Sequence, residues 1–131
     1  MKGFFLSFIL LALIPSHAAL SAETANTRTY DLPPAQAYDA VMATLGQLGM
    51  PIESSNPTGG HVKSSTASMG FITTLEVTNV YVQPSGDGST VRIERTKGRL
   101  GKLKPANDPA VLGTFFSALD HHAASRTTPA L

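Results

Sequence analysis

Asp120-His121-His122 and the isolated His61 are the side chains of this 131-residue chain most able to hold a metal ion or move a proton. Neighbouring residues of a helix point about 100° apart, so His121 and His122 cannot chelate one ion without help from elsewhere. A zinc site needs three or four convergent ligands, and the i, i+4 or His-Glu-x-x-His spacing that would supply two of them is missing. Imidazoles near a helix C-terminus interact favourably with its dipole, and that is the role assigned to the pair. The triplet also resembles a phosphoesterase signature, but the further aspartates that would share two metals have no matching context.

Other chemistries are no better supplied. The chain has no cysteine, which removes disulfides, thiolate ligands and thiol nucleophiles together. Serines are plentiful, yet no Gly-x-Ser-x-Gly elbow occurs. Glu53, Glu76 and Glu94 fall on separate strands and could approach as a carboxylate pair for glycoside cleavage; the simpler assignment is a solvent face opposite Lys63 or Arg92. Gly59-Gly60 and Gly86-Asp87-Gly88 lack the Lys-Ser/Thr and helix start of a phosphate cradle, so they read as turns. No catalytic, cofactor-binding or metal site is therefore expected, and an enzyme is not.

One charge anomaly stands out. Arg92, Arg95, Lys97, Arg99, Lys102 and Lys104 lie close together against a single Glu94, in a chain whose net charge is only +1. Such a patch could bind lipid head groups, lipopolysaccharide phosphates, anionic glycan or an acidic protein face. It could equally be a solvated edge strand and loop, where Lys and Arg discourage edge-to-edge pairing. Nucleic acid is not expected, because Phe71, Tyr81, Phe115 and Phe116 read as core and not as a stacking platform.

The elements that position these residues follow from periodicity. Met1-Lys2 and the apolar run from Phe4 to Pro15 have the form of a signal peptide, with acceptable cleavage sites after Ala18 and, preferred, after Ala22. The expected organisation is a signal peptide over 1–22, one domain over 23–124 and a disordered tail over 125–131. Without a transmembrane segment after cleavage, the product is expected in the periplasm or released outside.

Within the domain, Thr29 to Leu32 has room for a strand, and Ala37, Tyr38, Val41, Met42, Leu45 and Leu48 recur at helical spacing between Pro34 and Gly49. Pro51–Ser54 and His61–Ser64 read as short strands, Phe71–Gln83 as a long central one, and Thr90–Thr96 as its hairpin partner with Val91 and Ile93 facing in. Lys97–Ala106 reads as a basic connection. Asp108-Pro109 then opens a last helix with Val111, Leu112, Phe115, Phe116 and Leu119 on one stripe. Strands with two helices on one face define an α+β two-layer sandwich whose antiparallel sheet has four to five strands. Val41, Leu45, Leu48, Val111, Phe115 and Leu119 are its predicted core.

The strand ending in proline, the helix Ala37-Tyr38-Asp39-Ala40-Val41-Met42-Ala43-Thr44-Leu45 running to Leu48-Gly49, and then Ile52, Gly60 and a β-hairpin together resemble the small exported βαβββα proteins of Gram-negative bacteria, including BamC-like domains. The resemblance spans about Thr27 to Ala123 and implies a binding or scaffolding role in the cell envelope. This chain departs from many such proteins in lacking a lipobox cysteine, and the shared positions carry no site motif. The expected function is a non-enzymatic envelope protein that contacts a protein partner or an anionic envelope component. The alternative is a carrier of a small apolar ligand, with Phe71, Tyr81, Met42 and Met69 lining a cavity.

Overall fold

The computed structural model describes residues 24–127; the expected signal peptide and the last four residues lie outside them. The elements are β1 (Thr27–Tyr30), α1 (Pro34–Gln47), β2 (Ile52–Asn56), β3 (His61–Ser68), β4 (Thr74–Ser85), β5 (Gly88–Arg99), β6 (Lys102–Pro105) and α2 (Pro109–Thr127). The strands form one antiparallel sheet in the order β2-β3-β4-β5-β1, and β6 pairs with the part of β5 that β1 leaves open. The expected α+β sandwich is what forms, with six strands where four to five were predicted.

Local chemistry explains each helix boundary. Pro34 occupies the first turn of α1, where its missing N–H and fixed φ do no harm. At the other end Met50 N donates to Leu45 O (2.9 Å) and Gly49 N to Gly46 O (3.1 Å), with Gly49 at φ +69°. That is a Schellman closure, in which glycine takes the left-handed position at no steric cost. α2 opens as the sequence indicates, Ala110 N donating to Asp108 Oδ1 at 3.0 Å.

The buried face of α1 carries Ala37, Tyr38, Ala40, Val41, Thr44 and Leu45, and that of α2 carries Leu112, Phe115, Phe116, Leu119 and Ala123. They cover Val62, Val80, Val82, Val91 and Ile93 of the sheet. Each fully buried Val, Leu, Ile or Phe contributes about 1.5–3 kcal/mol of apolar burial. Four of the six predicted core residues are fully buried; Leu48 and Val111 are only half-buried. No helix among the described residues is long and apolar enough to cross a membrane.

α2 is also tied to β1 by a polar clasp. Asp120 accepts from Arg28 Nη1 and from the Tyr30 hydroxyl, both at 2.6 Å, while the Arg28 guanidinium lies over the Phe116 ring. Burial, reinforced by the hydrogen bond to Asp120 and its negative charge, pushes the Tyr30 phenol above its ordinary pKa.

Several boundaries differ from the sequence reading: β2 is shifted to Ile52–Asn56, β3 runs on to Ser68, β5 begins at Gly88, and four further differences change what lies where. β1 is displaced towards the N-terminus, which leaves Leu32 as a buried core residue outside any strand. β4 starts at Thr74, because Ser68 pairs with Thr74 and the turn between them must hold residues 69–73, including the exposed Phe71 and Ile72. The basic connection at 97–106 is instead the end of β5 and a sixth strand, reversed at Leu100-Gly101 by Gly101 at φ +85°. α2 runs through Thr127, so residues 125–127 of the expected tail are helical.

A Cβ on Gly60, which sits at φ +69°, would stand 2.1 Å from Val82 O, so Gly60→Ala should lower unfolding free energy by more than about 2 kcal/mol in urea denaturation. The raised Tyr30 pKa makes the folded state hold its proton more tightly than the unfolded chain. Its contribution is fully present below pH 10 and is lost as pH rises further. The urea-midpoint gap between wild type and Tyr30→Phe should therefore narrow above pH 10; a constant gap would contradict the assignment.

Candidate functional site

Strand register divides the helix-facing side of the sheet into bands. Val62, Val80 and Ile93 stand opposite one another across β3, β4 and β5, and belong to the core. The next row along is Ser64, Thr78 and Arg95; the one after is Thr66, Glu76 and Lys97. Side chains repeat every second residue on one face, so all of these point to the same side as the core valines. The sheet thus turns from apolar to polar while still facing the helices.

A cavity of about 420 Å³ lies above this polar stretch. Its floor is Ser64, Thr66, Glu76, Thr78 and Arg95, bordered by Ile93. Leu48 and Met50, at the closed end of α1, form one wall; Ala110, Val111, Thr114 and Phe115, from the first turns of α2, form the other. The space exists because α1 ends at Gln47 while the sheet continues beneath it, and because α2 is held by its contacts with α1 and by the Asp120 clasp near its far end.

Arg95 is the centre of the floor and only 8% exposed. Its Nη2 pairs with Glu76 Oε1 at 2.7 Å, Nη1 donates to Ala106 O at 3.2 Å, and Nε donates to Thr78 Oγ1 at 3.3 Å. Its backbone joins in: Arg95 N donates to Asn107 Oδ1 (3.1 Å) and Arg95 O accepts from Ala106 N (2.8 Å). Glu76 thus balances the charge of Arg95, while Arg95 fixes the segment that leads into α2. A guanidinium is a cation, and its burial requires such partners. Hydroxyls, a compensated ion pair and apolar walls can together hold a molecule with an apolar body and one polar end.

The six cations expected to act as one patch separate into three groups. Arg92 lies on the open face of the sheet, its guanidinium 4.4 Å from the Tyr81 ring centroid and paired with Glu94. Arg95 is internal, which corrects its place on a surface patch: it continues the inward parity of Val91 and Ile93. Lys97, Arg99, Lys102 and Lys104 do come together, as the directly opposed pairs Lys97–Lys104 and Arg99–Lys102 at one end of the sheet.

The carboxylates take separate partners. Glu53 pairs with Lys63 at 3.3 Å and accepts from the Ser65 hydroxyl, and these contacts, led by the hydroxyl, lower its pKa. Glu94 pairs with Arg92 and Glu76 with Arg95. His61 stacks on Tyr81 and bonds Asn79 Oδ1 at 2.8 Å through Nε2, whereas His122 Nε2 meets Gln47 Oε1 at 2.6 Å. Among the described residues no cluster of three or more His, Cys, Asp or Glu could hold a metal ion.

The lining expected for a ligand cavity also needs correction. Met69 and Phe71 are on an exposed turn, Tyr81 stacks on the open face, and Met42 packs against the core. None of the four lines the cavity that forms. The residues that do line it carried one readable signal: Ser64, Thr66 and Thr78 occupy the inward parity of β3 and β4 where apolar residues would normally stand.

No family model matches the chain, and no curated protein matches it. Similar solved structures include TTHA0849 from Thermus thermophilus, at 11% identity and TM-score 0.43, covering 78% of this chain and 97% of that one. A DUF4468 family protein from Bacteroides ovatus ATCC 8483 aligns at 12% identity and TM-score 0.39, over 82% of this chain and 90% of that one. Ara h 8.0201 aligns at 12% identity and TM-score 0.38, over 75% and 95%.

Removing Arg95 and removing Glu76 should not be equivalent. Arg95→Ala strips a donor from Thr78 and Ala106 together with packed stem, and should cost about 2–3 kcal/mol in urea denaturation. Glu76 is 41% exposed, so solvent offsets part of the lost charge, and glutamine keeps an acceptor for Arg95 Nη2; Glu76→Gln should cost about 1 kcal/mol, less than Arg95→Ala. Equal losses would contradict a role for Arg95 in holding the start of α2.

Proposed function

We propose that this protein is a non-enzymatic binding protein of the cell envelope that carries a small amphipathic molecule, its apolar body between α2 and the end of α1 and its polar end on the Ser64–Thr66–Glu76–Arg95 floor. The observation that carries this reading is the cavity of about 420 Å³, within the size range of small-molecule sites, with apolar walls and a few converging polar groups. Envelope location rests on the signal-peptide character of residues 1–22. A charged floor suits a polar head better than a wholly apolar ligand, because a hydrocarbon placed over Glu76 and Arg95 would strip water from both and return no hydrogen bond.

The test is titration with undecanoic acid bearing a dansyl group, using wild type and Val111→Trp. Val111 is half-buried on the wall, so a larger ring there fills the cavity without entering the packed core. Saturable binding at one probe per chain is expected, weakened at least about tenfold in the variant, a loss of about 1.4 kcal/mol. Absence of saturable binding to wild type, or equal affinity in both proteins, would overturn the reading.

A further inference from the structure

The polar band under the helices is followed, at the end of the sheet, by a band of a different kind. Ser68, Thr74, Arg99 and Lys102 form the last row across β3, β4, β5 and β6. Two turns project beyond that row: residues 69–73 between β3 and β4, and Leu100-Gly101 between β5 and β6. Strands lie about 4.8 Å apart, so these two tips are neighbours, roughly 10 Å from one another. Both carry large apolar side chains in water. Phe71 is fully exposed, Met69 is 84% exposed and Leu100 71%, with Ile72 beside them.

Four cations stand directly behind the tips. Lys97 faces Lys104 and Arg99 faces Lys102 across the β5–β6 ladder, and none of the four forms an ion pair among the described residues. Like charges placed directly opposite destabilise a sheet. Elsewhere the chain neutralises its sheet cations, pairing Lys63, Arg92 and Arg95 with Glu53, Glu94 and Glu76. An arrangement that repels itself and exposes apolar tips is relieved by one kind of surface: anionic charge at the depth of the cations, with apolar material beyond it.

We propose that this end of the sheet docks on an anionic lipid bilayer, Phe71, Met69, Ile72 and Leu100 entering the interfacial region while Lys97, Arg99, Lys102 and Lys104 meet phosphate head groups. A lipid interface accepts separate protruding side chains because it deforms around them, whereas a protein partner needs a packed, complementary interface core. Each cation near an anionic surface contributes about a fivefold factor to partition. The docking stands independently of the cavity and its ligand. The cations nonetheless continue the same sheet face on which Glu76 and Arg95 form the cavity floor, so a docked molecule would turn its polar band towards the membrane.

The chain contains no tryptophan, so Phe71→Trp is a reporter at one site. The protein as its host processes it is mixed, without probe ligand, with vesicles of phosphatidylcholine alone or of an equal mixture with phosphatidylglycerol. Co-sedimentation with the mixed vesicles and a blue shift of the Phe71→Trp emission are expected, both reduced by salt and both weak on phosphatidylcholine. Lys102→Glu combined with Lys104→Glu places opposite charges across from Arg99 and Lys97. That variant should match or exceed wild type in urea midpoint and yet bind mixed vesicles at least about tenfold less well. Equal binding to both vesicle types, sedimentation without the blue shift, undiminished binding by the double variant, or retention on polyglutamate with none on vesicles would each overturn the proposal. Because no dansyl probe is used, failure here leaves the cavity reading standing, and the reverse also holds.

Discussion

Pairing of β4 with β5 is the constraint on which the rest of the molecule depends. The two strands run antiparallel from Ser85–Gly88 to Thr74–Arg99, closed by a two-residue turn at Gly86-Asp87 with Gly86 at φ +59°. A turn of this length with glycine in first position matches the right-handed twist of the strands and admits one register. That register places Val80 across from Ile93, Thr78 across from Arg95 and Glu76 across from Lys97. Core, cavity floor and the start of the cationic end are therefore successive stations of a single ladder. A slip of β5 by one residue would send Ile93, Arg95 and Lys97 to the open face and bring Arg92 and Glu94 under the helices, which no burial of apolar surface could offset.

Much of this was legible in the chain. Val91 and Ile93 announced their face by alternation, Asp108-Pro109 announced the start of α2, and the stripe of Leu112, Phe115 and Leu119 gave its buried side. What stayed hidden has physical reasons. β6 is built from Lys102, Leu103, Lys104 and Pro105, none of which advertises a strand, and it pairs because β5 overruns β1 and leaves an edge to fill. Phe71 and Ile72 look like the start of a strand because they are apolar, yet the β3–β4 pairing leaves them in its turn. Arg95 could have been found, since it continues the parity of Val91 and Ile93 by one more step. A run of cations reads as surface, and composition outweighed parity there. The cavity could not be read at all, because its walls and floor come from elements far apart in the chain.

Apolar burial and polar surface are distributed along the same face in opposite proportions. Near β1 and the β4–β5 turn the sheet gives valines and isoleucine to the helices and is sealed by Leu32, Val41, Leu45 and Phe116. Towards the other end the inward positions are given to Ser64, Thr66, Thr78, Glu76 and Arg95, which contribute little apolar burial and must be satisfied by hydrogen bonds. The described residues leave no buried side-chain polar atom without a partner, so the polar stretch is a finished surface and not a defect of packing. A domain of this size can give up that much core only because the sealed half is tightly filled.

Arg95 reconciles the two halves. A cavity beneath the first turns of α2 would ordinarily let that helix start slide or fray, since Val111 is only half-buried and Ala110 and Thr114 are small and exposed. The side chain of Arg95 holds Ala106 O, while its backbone exchanges hydrogen bonds with Ala106 and Asn107, so the segment before Asp108 is anchored to β5 from below. Asp108 then caps the helix from a fixed point, and Asp120 clasps the same helix to β1. Held at both places by polar contacts with the sheet, and packed on the core between them through Leu112, Phe115, Phe116 and Leu119, α2 stands off from the sheet only beneath its first turns. The cavity is thus a consequence of where the anchors are placed: a lysine at position 95 could neutralise Glu76, but without the planar fork it could not donate to Thr78 and Ala106 in the same geometry.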